Sequence, residues 1–434
     1  MTSARVLEVC LRFGVPAEGS GRPGGILNRL GLEPQRGELT VVVGPSGAGK
    51  STLLGELARR YPASRLVHQV QFPLDVAVID AVAPTRAISE AAGLLTACGL
   101  GEPALWLRRF DQLSEGERFR ARLARAIGMQ RRDGGDAPLL CDEFAVGLHD
   151  RLARAVSHNL RKLVSRERLP LILATSREEL LGDLRPDRLI RLPEARVETR
   201  PFETQATRLR MLSRCRIERG GVRDYTAFAE MHYRRREELG FVDQVFVLRE
   251  GRGGELLGVV VYGHPALELA LRNRVTHGRF VRRPDRLNRE LRVLKRLVIH
   301  PDLRGCGVGH WFVRRTLPMV GTRFVECLAA MGLVNPVFEK AGMMRVGVCS
   351  LPARWEGVLA ELRALGVDAL GADFATEIAR RPAVREVVAR AVYDWYRATT
   401  GGGVARVARQ TASTLAGTFR QLAGSAPVYY VWAR

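Results

Sequence analysis

Residues 44–52 constrain this chain more than any other stretch. Gly44-Pro45-Ser46-Gly47-Ala48-Gly49-Lys50-Ser51-Thr52 follows the apolar run Leu39-Thr40-Val41-Val42-Val43 and precedes the helical stretch Leu53–Arg60. A glycine-rich turn between a buried strand and a helix N-terminus lets successive backbone N–H groups converge on one point. The Lys-Ser/Thr that closes it adds an ammonium group and a hydroxyl, a set suited to a polyphosphate. Lys50 is expected to neutralise the outer phosphates and Ser51 to ligate Mg²⁺, while Gly44, Ser46, Gly47, Gly49 and Thr52 complete the loop. Around it, residues 1–200 alternate short apolar runs with amphipathic stretches, the pattern of a layered α/β domain.

Two further segments extend this reading. Pro138-Leu139-Leu140-Cys141-Asp142-Glu143 is an apolar strand ending in two carboxylates. Asp142 is expected to hold the Mg²⁺, and Glu143 to orient or deprotonate an attacking water. Between the two motifs lies Leu113-Ser114-Glu115-Gly116-Glu117-Arg118, which runs into the helical stretch Phe119–Ile127. Alone it is an ordinary helix cap. Placed where it is, it resembles the signature motif of ABC ATPases, in which the serine and glycine cap the γ-phosphate of ATP held by the other subunit.

The resemblance covers about residues 1–195. It implies ATP and Mg²⁺ as ligands, a homodimer through the ATPase domains, Glu143 as a catalytic residue and Ser114 and Gly116 at the nucleotide. Gln71 or Gln69 takes the place of the Q-loop glutamine. Two elements depart from the family. The D-loop reads Gly147-Leu148-His149-Asp150, with His149 at the expected aspartate, and Thr175-Ser176-Arg177 stands where the family has its switch histidine. Slow or partner-dependent hydrolysis is the expectation.

Residues 201–350 carry strand-like runs at Val245–Leu248, Leu256–Tyr262 and Leu294–Ile299. The last leads into Arg304-Gly305-Cys306-Gly307-Val308-Gly309 and the helical stretch His310–Leu317, followed by the strand Phe324–Ala329 and the run Asn335–Met343. The RxxGxG spacing after a strand resembles the acyl-CoA pyrophosphate loop of GNAT acetyltransferases. It implies a GNAT-like α+β domain, acetyl-CoA or another acyl-CoA as cofactor, and Arg304, Gly305, Gly307, Val308, Gly309 and Asn335 as its ligands.

No glutamate stands on the Leu294–Ile299 strand, and Phe338 occupies the place of a frequent tyrosine, so the usual acid and base of amine acetylation are missing. Met231-His232-Tyr233, followed by Phe246-Val247-Leu248 and Gly258–Gly263, is similar to the Mom-type proteins of bacteriophages, GNAT-like enzymes that modify adenine in DNA. That similarity implies His232 and Tyr233 as catalytic residues, through a proton relay or a metal; a surface histidine and a half-buried tyrosine are the plain alternative. The whole arrangement resembles predicted ATPase–acetyltransferase fusions of archaea, bacteria and phages.

Residues 351–434 read as a mainly helical extension ending in the strand-like Pro427–Trp432. Tyr393, Trp395, Tyr396, Tyr429, Tyr430 and Trp432 are either base-stacking groups or core. The net charge of +22 favours a polyanionic partner, nucleic acid ahead of a membrane surface. Only Lys50, Lys162, Lys295 and Lys340 are lysines, so arginine supplies the rest of the positive charge. Seven cysteines without a CxxC pair suggest reduced thiols. With no membrane-length apolar run and no signal-peptide pattern, a cytoplasmic location is expected. Function divides into two classes: acyl-CoA-dependent modification of nucleic acid clamped by an ATPase dimer, or ATP-regulated N-acetylation of a protein or small amine.

Overall fold

The computed structural model describes residues 3–14, 27, 30–133, 136–199, 209–231, 239, 241–349, 353–400, 407, 409–423 and 427–434. The first sheet is built from β1 (Leu39–Val43), β2 (Arg65–Leu66), β3 (Leu139–Cys141), β4 (Leu171–Thr175), β5 (Arg188–Arg191) and β6 (Arg196–Thr199). Its order is β2-β3-β4-β1-β5-β6, parallel except for β6 at one edge. All residues of β1, β3 and β4 are buried. Leu39, Val41 and Val43 pack into one cluster, whereas Val42 joins the cluster formed by Leu53, Leu54 and Leu57 on the opposite face. Burial on both faces explains why these strands read as continuous apolar runs. The helices used below are α1 (Ala4–Phe13), α2 (Lys50–Arg60), α3 (Ile88–Ala97), α4 (Glu115–Asp133) and α5 (Asp150–Glu167).

The second sheet contains β7 (Cys215–Gly220), β8 (Val242–Glu250), β9 (Leu256–Gly263), β10 (Leu291–Ile299), β11 (Phe324–Ala329), β12 (Met344–Val348) and β13 (Val428–Ala433). Its order is β7-β8-β9-β10-β11-β13-β12. Alternation sets its two faces: Phe246, Leu248, Val260 and Tyr262 enter one cluster, and Val245, Val247, Val259 and Val261 the other. β10 and β11 are the parallel pair, joined through α6 (Val308–Thr316).

The closing strand β13 lies between β11 and β12, antiparallel to both. The helices α7 (Ala353–Ala364), α8 (Phe374–Arg380), α9 (Pro382–Thr400) and α10 (Ala412–Ala423) are therefore an excursion between two strands of one sheet. They pack on their own core, with Phe419 against Trp355 and Phe374 at ring centroids of 5.5 and 5.6 Å. Tyr429 and Tyr430 are fully buried in the second sheet. Tyr429 donates its hydroxyl to Glu326 at 3.0 Å, beside a buried Arg272–Glu326 pair. These two tyrosines are core residues, closed to base stacking, because successive side chains of the strand enter opposite covered faces, Tyr430 packing on Phe338 and Tyr429 bonding the buried Glu326.

Candidate functional site: a phosphate loop and a second loop docked on its domain

β1 ends at Val43, and the chain turns through Gly44–Gly49 before α2 begins at Lys50. Gly47 and Gly49 adopt the left-handed conformation, with φ of 80° and 92°. At Gly44 a Cβ would stand 2.5 Å from the carbonyl oxygen of Leu192, so any side chain would push the loop off the sheet. The Lys50 ammonium donates to the carbonyls of Gly44 and Pro45 at 2.7 and 2.8 Å. It is thereby held over the loop that the phosphates would fill. Ser46, Gly47, Ser51 and Thr52 are exposed.

β3 and β1 are parallel and separated only by β4, so their carboxyl ends open on one edge of the sheet. That edge is where ligands of open α/β sheets bind. It brings Asp142 and Glu143 to the side of the sheet that carries the glycine loop. Asp142 is half-buried and accepts the Glu143 N–H at 2.9 Å; Glu143 itself is exposed. Asp142 and Ser51 are hard oxygen donors, the set with which Mg²⁺ is held beside nucleotide phosphates, and they fit that ion. Mg²⁺ would neutralise phosphate charge there, and Glu143 would offer a carboxylate to a water.

Ser114 and Gly116 open α4. Ser114 N–H donates to Glu117 at 2.9 Å and its hydroxyl accepts the Glu117 N–H at 3.4 Å, a reciprocal capping box that leaves the exposed serine at the helix start. A Cβ on Gly116 would lie 3.6 Å from the carbonyl of Gly147, so the signature turn borders the D-loop of its own chain. Gln71 is exposed and its amide donates to the carbonyl of Gln69 at 3.3 Å.

The second loop is docked on the first domain. Gly305 and Gly307 both have φ of 83°, and α6 starts at Val308. The Arg304 guanidinium donates to Ile299 O at 3.1 Å, to Gly101 O of the first domain at 3.2 Å, and to Met231 O. Its side chain is spent on carbonyls, so an anion at this loop would be met by backbone amides of the loop and helix start. A Cβ on Gly305 would come within 2.9 Å of the carbonyl of Thr96, at the end of α3. The Cys306 thiol donates to Ala155 O of α5 at 3.7 Å. His149 of the D-loop approaches Asp302 at 3.3 Å, and His300 reaches the other carboxylate oxygen at 3.1 Å.

Around the start of α6 the charges are cationic. Burial lowers the His310 imidazole below its usual range, and Lys340, Lys162 and Arg314 push the same way. Burial likewise lowers the Lys162 ammonium on α5, with Lys340 and Arg166 adding to it. Val308 is buried, and a Cβ on Gly309 would lie 3.2 Å from Val337 and 3.6 Å from Leu297. Asn335 is exposed. His232 and Tyr233 lie outside the described residues. Lys162 and Asp302 were not read from the sequence as site residues. The rarity of lysine is the one sequence signal for Lys162; Asp302 has His300 beside it, but its other partners, His149 and Arg151, come from the first domain.

The described residues contain no helix long and apolar enough to cross a membrane. Residues 34–182 match the family model described as an AAA domain. The lipoprotein-releasing system ATP-binding protein LolD of Novosphingobium aromaticivorans is 31% identical over 210 residues, 40% of this chain and 90% of that protein. LolD 1 of Rhodopirellula baltica is 30% identical over 203 residues, 38% of this chain and 85% of that protein. Among solved structures, the bacterial ABC transporter cassette MJ0796 is similar at 20% identity and a TM-score of 0.31, over 39% of this chain and 89% of that one. With the glycine loop, the two carboxylates and the signature turn in place, and an ATP-binding relative matched over nine-tenths of its length, the chain belongs through its N-terminal region to the ABC-type ATPases.

Proposed function

We propose that the chain is an ATP-dependent, acyl-CoA-using enzyme that modifies nucleic acid, its ATPase domains closing as a dimer on the polymer while a GNAT-type second domain acts on an exposed base. One observation carries the acyl-CoA half of this reading. β10 and β11 are parallel neighbours whose ladder holds only from Leu291↔Phe324 to Leu294↔Cys327, although β10 runs on to Ile299. On its other edge β10 stays paired with β9, with a register shift between Leu294 and Arg296. Diverging strands leave backbone donors and acceptors free for an extended amide-bearing arm such as pantetheine. The glycine turn and α6 between them offer N–H groups to a pyrophosphate. Lys162, Lys340 and Arg314 add positive charge beside that turn. The net charge of +22 supports a polyanionic substrate, and His232 and Tyr233 remain the proposed acid–base pair.

The test uses the full chain. Acetyl-CoA should bind in calorimetry, and Gly307→Val should lose that binding with ATP hydrolysis intact, because φ there is 83° and a Cβ would lie 2.8 Å from His310. DNA or RNA should be retained at low salt and released steeply as salt rises. Nucleosides recovered after incubation with ATP and acetyl-CoA should carry a new mass. Unchanged acetyl-CoA binding by Gly307→Val sinks the acyl-CoA site. Unmodified nucleosides alongside an acetylated protein or amine select ATP-regulated N-acetylation instead.

A further inference from the structure

We infer that Arg177 is a positioning residue for ATP hydrolysis, its guanidinium fixing both the turn that carries Glu143 and the D-loop that follows. The inference rests on the ABC-type ATPase reading and names a residue of the segment Thr175–Arg177, which stands where that family has its switch histidine. The turn after β3 is conformationally costly. Glu143 and Ala145 both adopt left-handed backbone angles, with φ of 49° and 61°, and neither is glycine. Such geometry persists only where surrounding groups over-determine it.

Those groups come from the end of β4. Phe144 N–H donates to Ala174 O at 2.8 Å, and the Thr175 hydroxyl donates to Phe144 O at 3.0 Å. Arg177 takes the rest: Nη1 donates to Ala145 O at 3.1 Å and to Leu148 O at 2.7 Å, and Nη2 donates to an Asp150 carboxylate oxygen at 3.2 Å. Nε is anchored on Glu179 at 2.8 Å. The Arg177 side chain is 18% exposed while its carboxylate partners Asp150 and Glu179 are 59% and 47% exposed, so the bonds to the two turn carbonyls carry the positioning and the ion pairs are screened. One planar fork thus spans from two residues beyond Glu143 to Asp150 of the D-loop. Lysine offers a single point of charge and cannot bridge all of these acceptors at once.

Removing the guanidinium leaves the nucleotide loop intact but frees the Glu143 carboxylate to wander from the water it must orient. Arg177→Ala should therefore lower kcat by roughly ten- to a hundredfold, the scale of a sub-ångström to ångström misplacement at a reacting group. KM and the affinity for a non-hydrolysable ATP analogue should stay at parental values. Arg177→Lys should give an intermediate rate. The double variant Glu143→Gln/Arg177→Ala should be no slower than Glu143→Gln alone, because the arginine acts through the glutamate.

Parental kcat in Arg177→Ala overturns the inference, as does a raised KM at constant kcat or a loss of analogue binding matching the loss of rate. A further fall in the double variant also overturns it. Absence of hydrolysis by the parental chain removes the ATPase reading itself, an outcome distinct from parental kcat in the variant.

Discussion

The Lys50 ammonium is held by two loop carbonyls, Gly44 O and Pro45 O, which keep it over the turn without the entropy cost of a free lysine chain. A bound nucleotide offers it phosphate oxygens of opposite charge in their place. Lys50→Ala should raise the Kd for ATP by roughly a hundredfold or more, the equivalent of about 3 kcal/mol for a charge-assisted bond lost at the phosphates. A fluorescent ATP analogue in equilibrium titration checks this, and parental affinity would remove the loop assignment. Other functional residues owe their roles to tertiary neighbours. His149 is a D-loop residue by sequence, yet its ring faces Asp302 of the second domain. Arg304 belongs to a cofactor-loop pattern, yet its side chain bonds three carbonyls, one of them in the ATPase domain.

At the scale of elements, the junction between the two domains joins α3 and α5 to the turn ahead of α6. Arg304→Ala removes donors from Gly101 O, Ile299 O and Met231 O, and each acceptor left dry costs about 1–3 kcal/mol. The second domain of that variant should unfold at lower urea than the parental one, while the ATPase domain keeps its midpoint; hydrogen exchange resolved by domain reads the difference. Asp302 sits in the same junction. Burial opposes its charge, but the hydrogen bond from His300, with His149 and Arg151 nearby, holds the carboxyl below its usual range. A carboxyl depressed on folding stabilises the junction above the unfolded pKa, near 4, and that contribution is lost as pH falls through the folded value. Both contributions are present at neutral pH, and only that of Asp302 fades as pH falls below about 4.

Across the whole molecule, the signature turn at Ser114 and Gly116 belongs to a nucleotide held by a second subunit on the proposed reading, so ATP should drive dimerisation. Glu143→Gln should bind ATP, hydrolyse it only at a small residual rate and elute with twice the parental monomer mass in ATP but not in ADP. An unchanged mass would count against the nucleotide-sandwich dimer. Much of this molecule was legible in the chain itself. The glycine loop, the strand ending in Asp142 and Glu143 and the capped helix at Ser114 were readable because each is specified within a dozen residues by turn chemistry, burial on both strand faces or a capping box. The same holds for β8, β9 and β10, whose apolar runs fall inside the strands Val242–Glu250, Leu256–Gly263 and Leu291–Ile299. Only the tertiary structure decided that β13 returns across the stretch holding α7 to α10 to sit between β11 and β12, where Tyr429 and Tyr430 are buried. It alone placed Arg177 on the carbonyls after Glu143 and joined Asp302 to His149. Contacts between residues far apart in the chain, or across a loop with no periodicity, leave no local pattern; they are set by which surfaces meet when the sheets pack, and a linear sequence does not record that meeting.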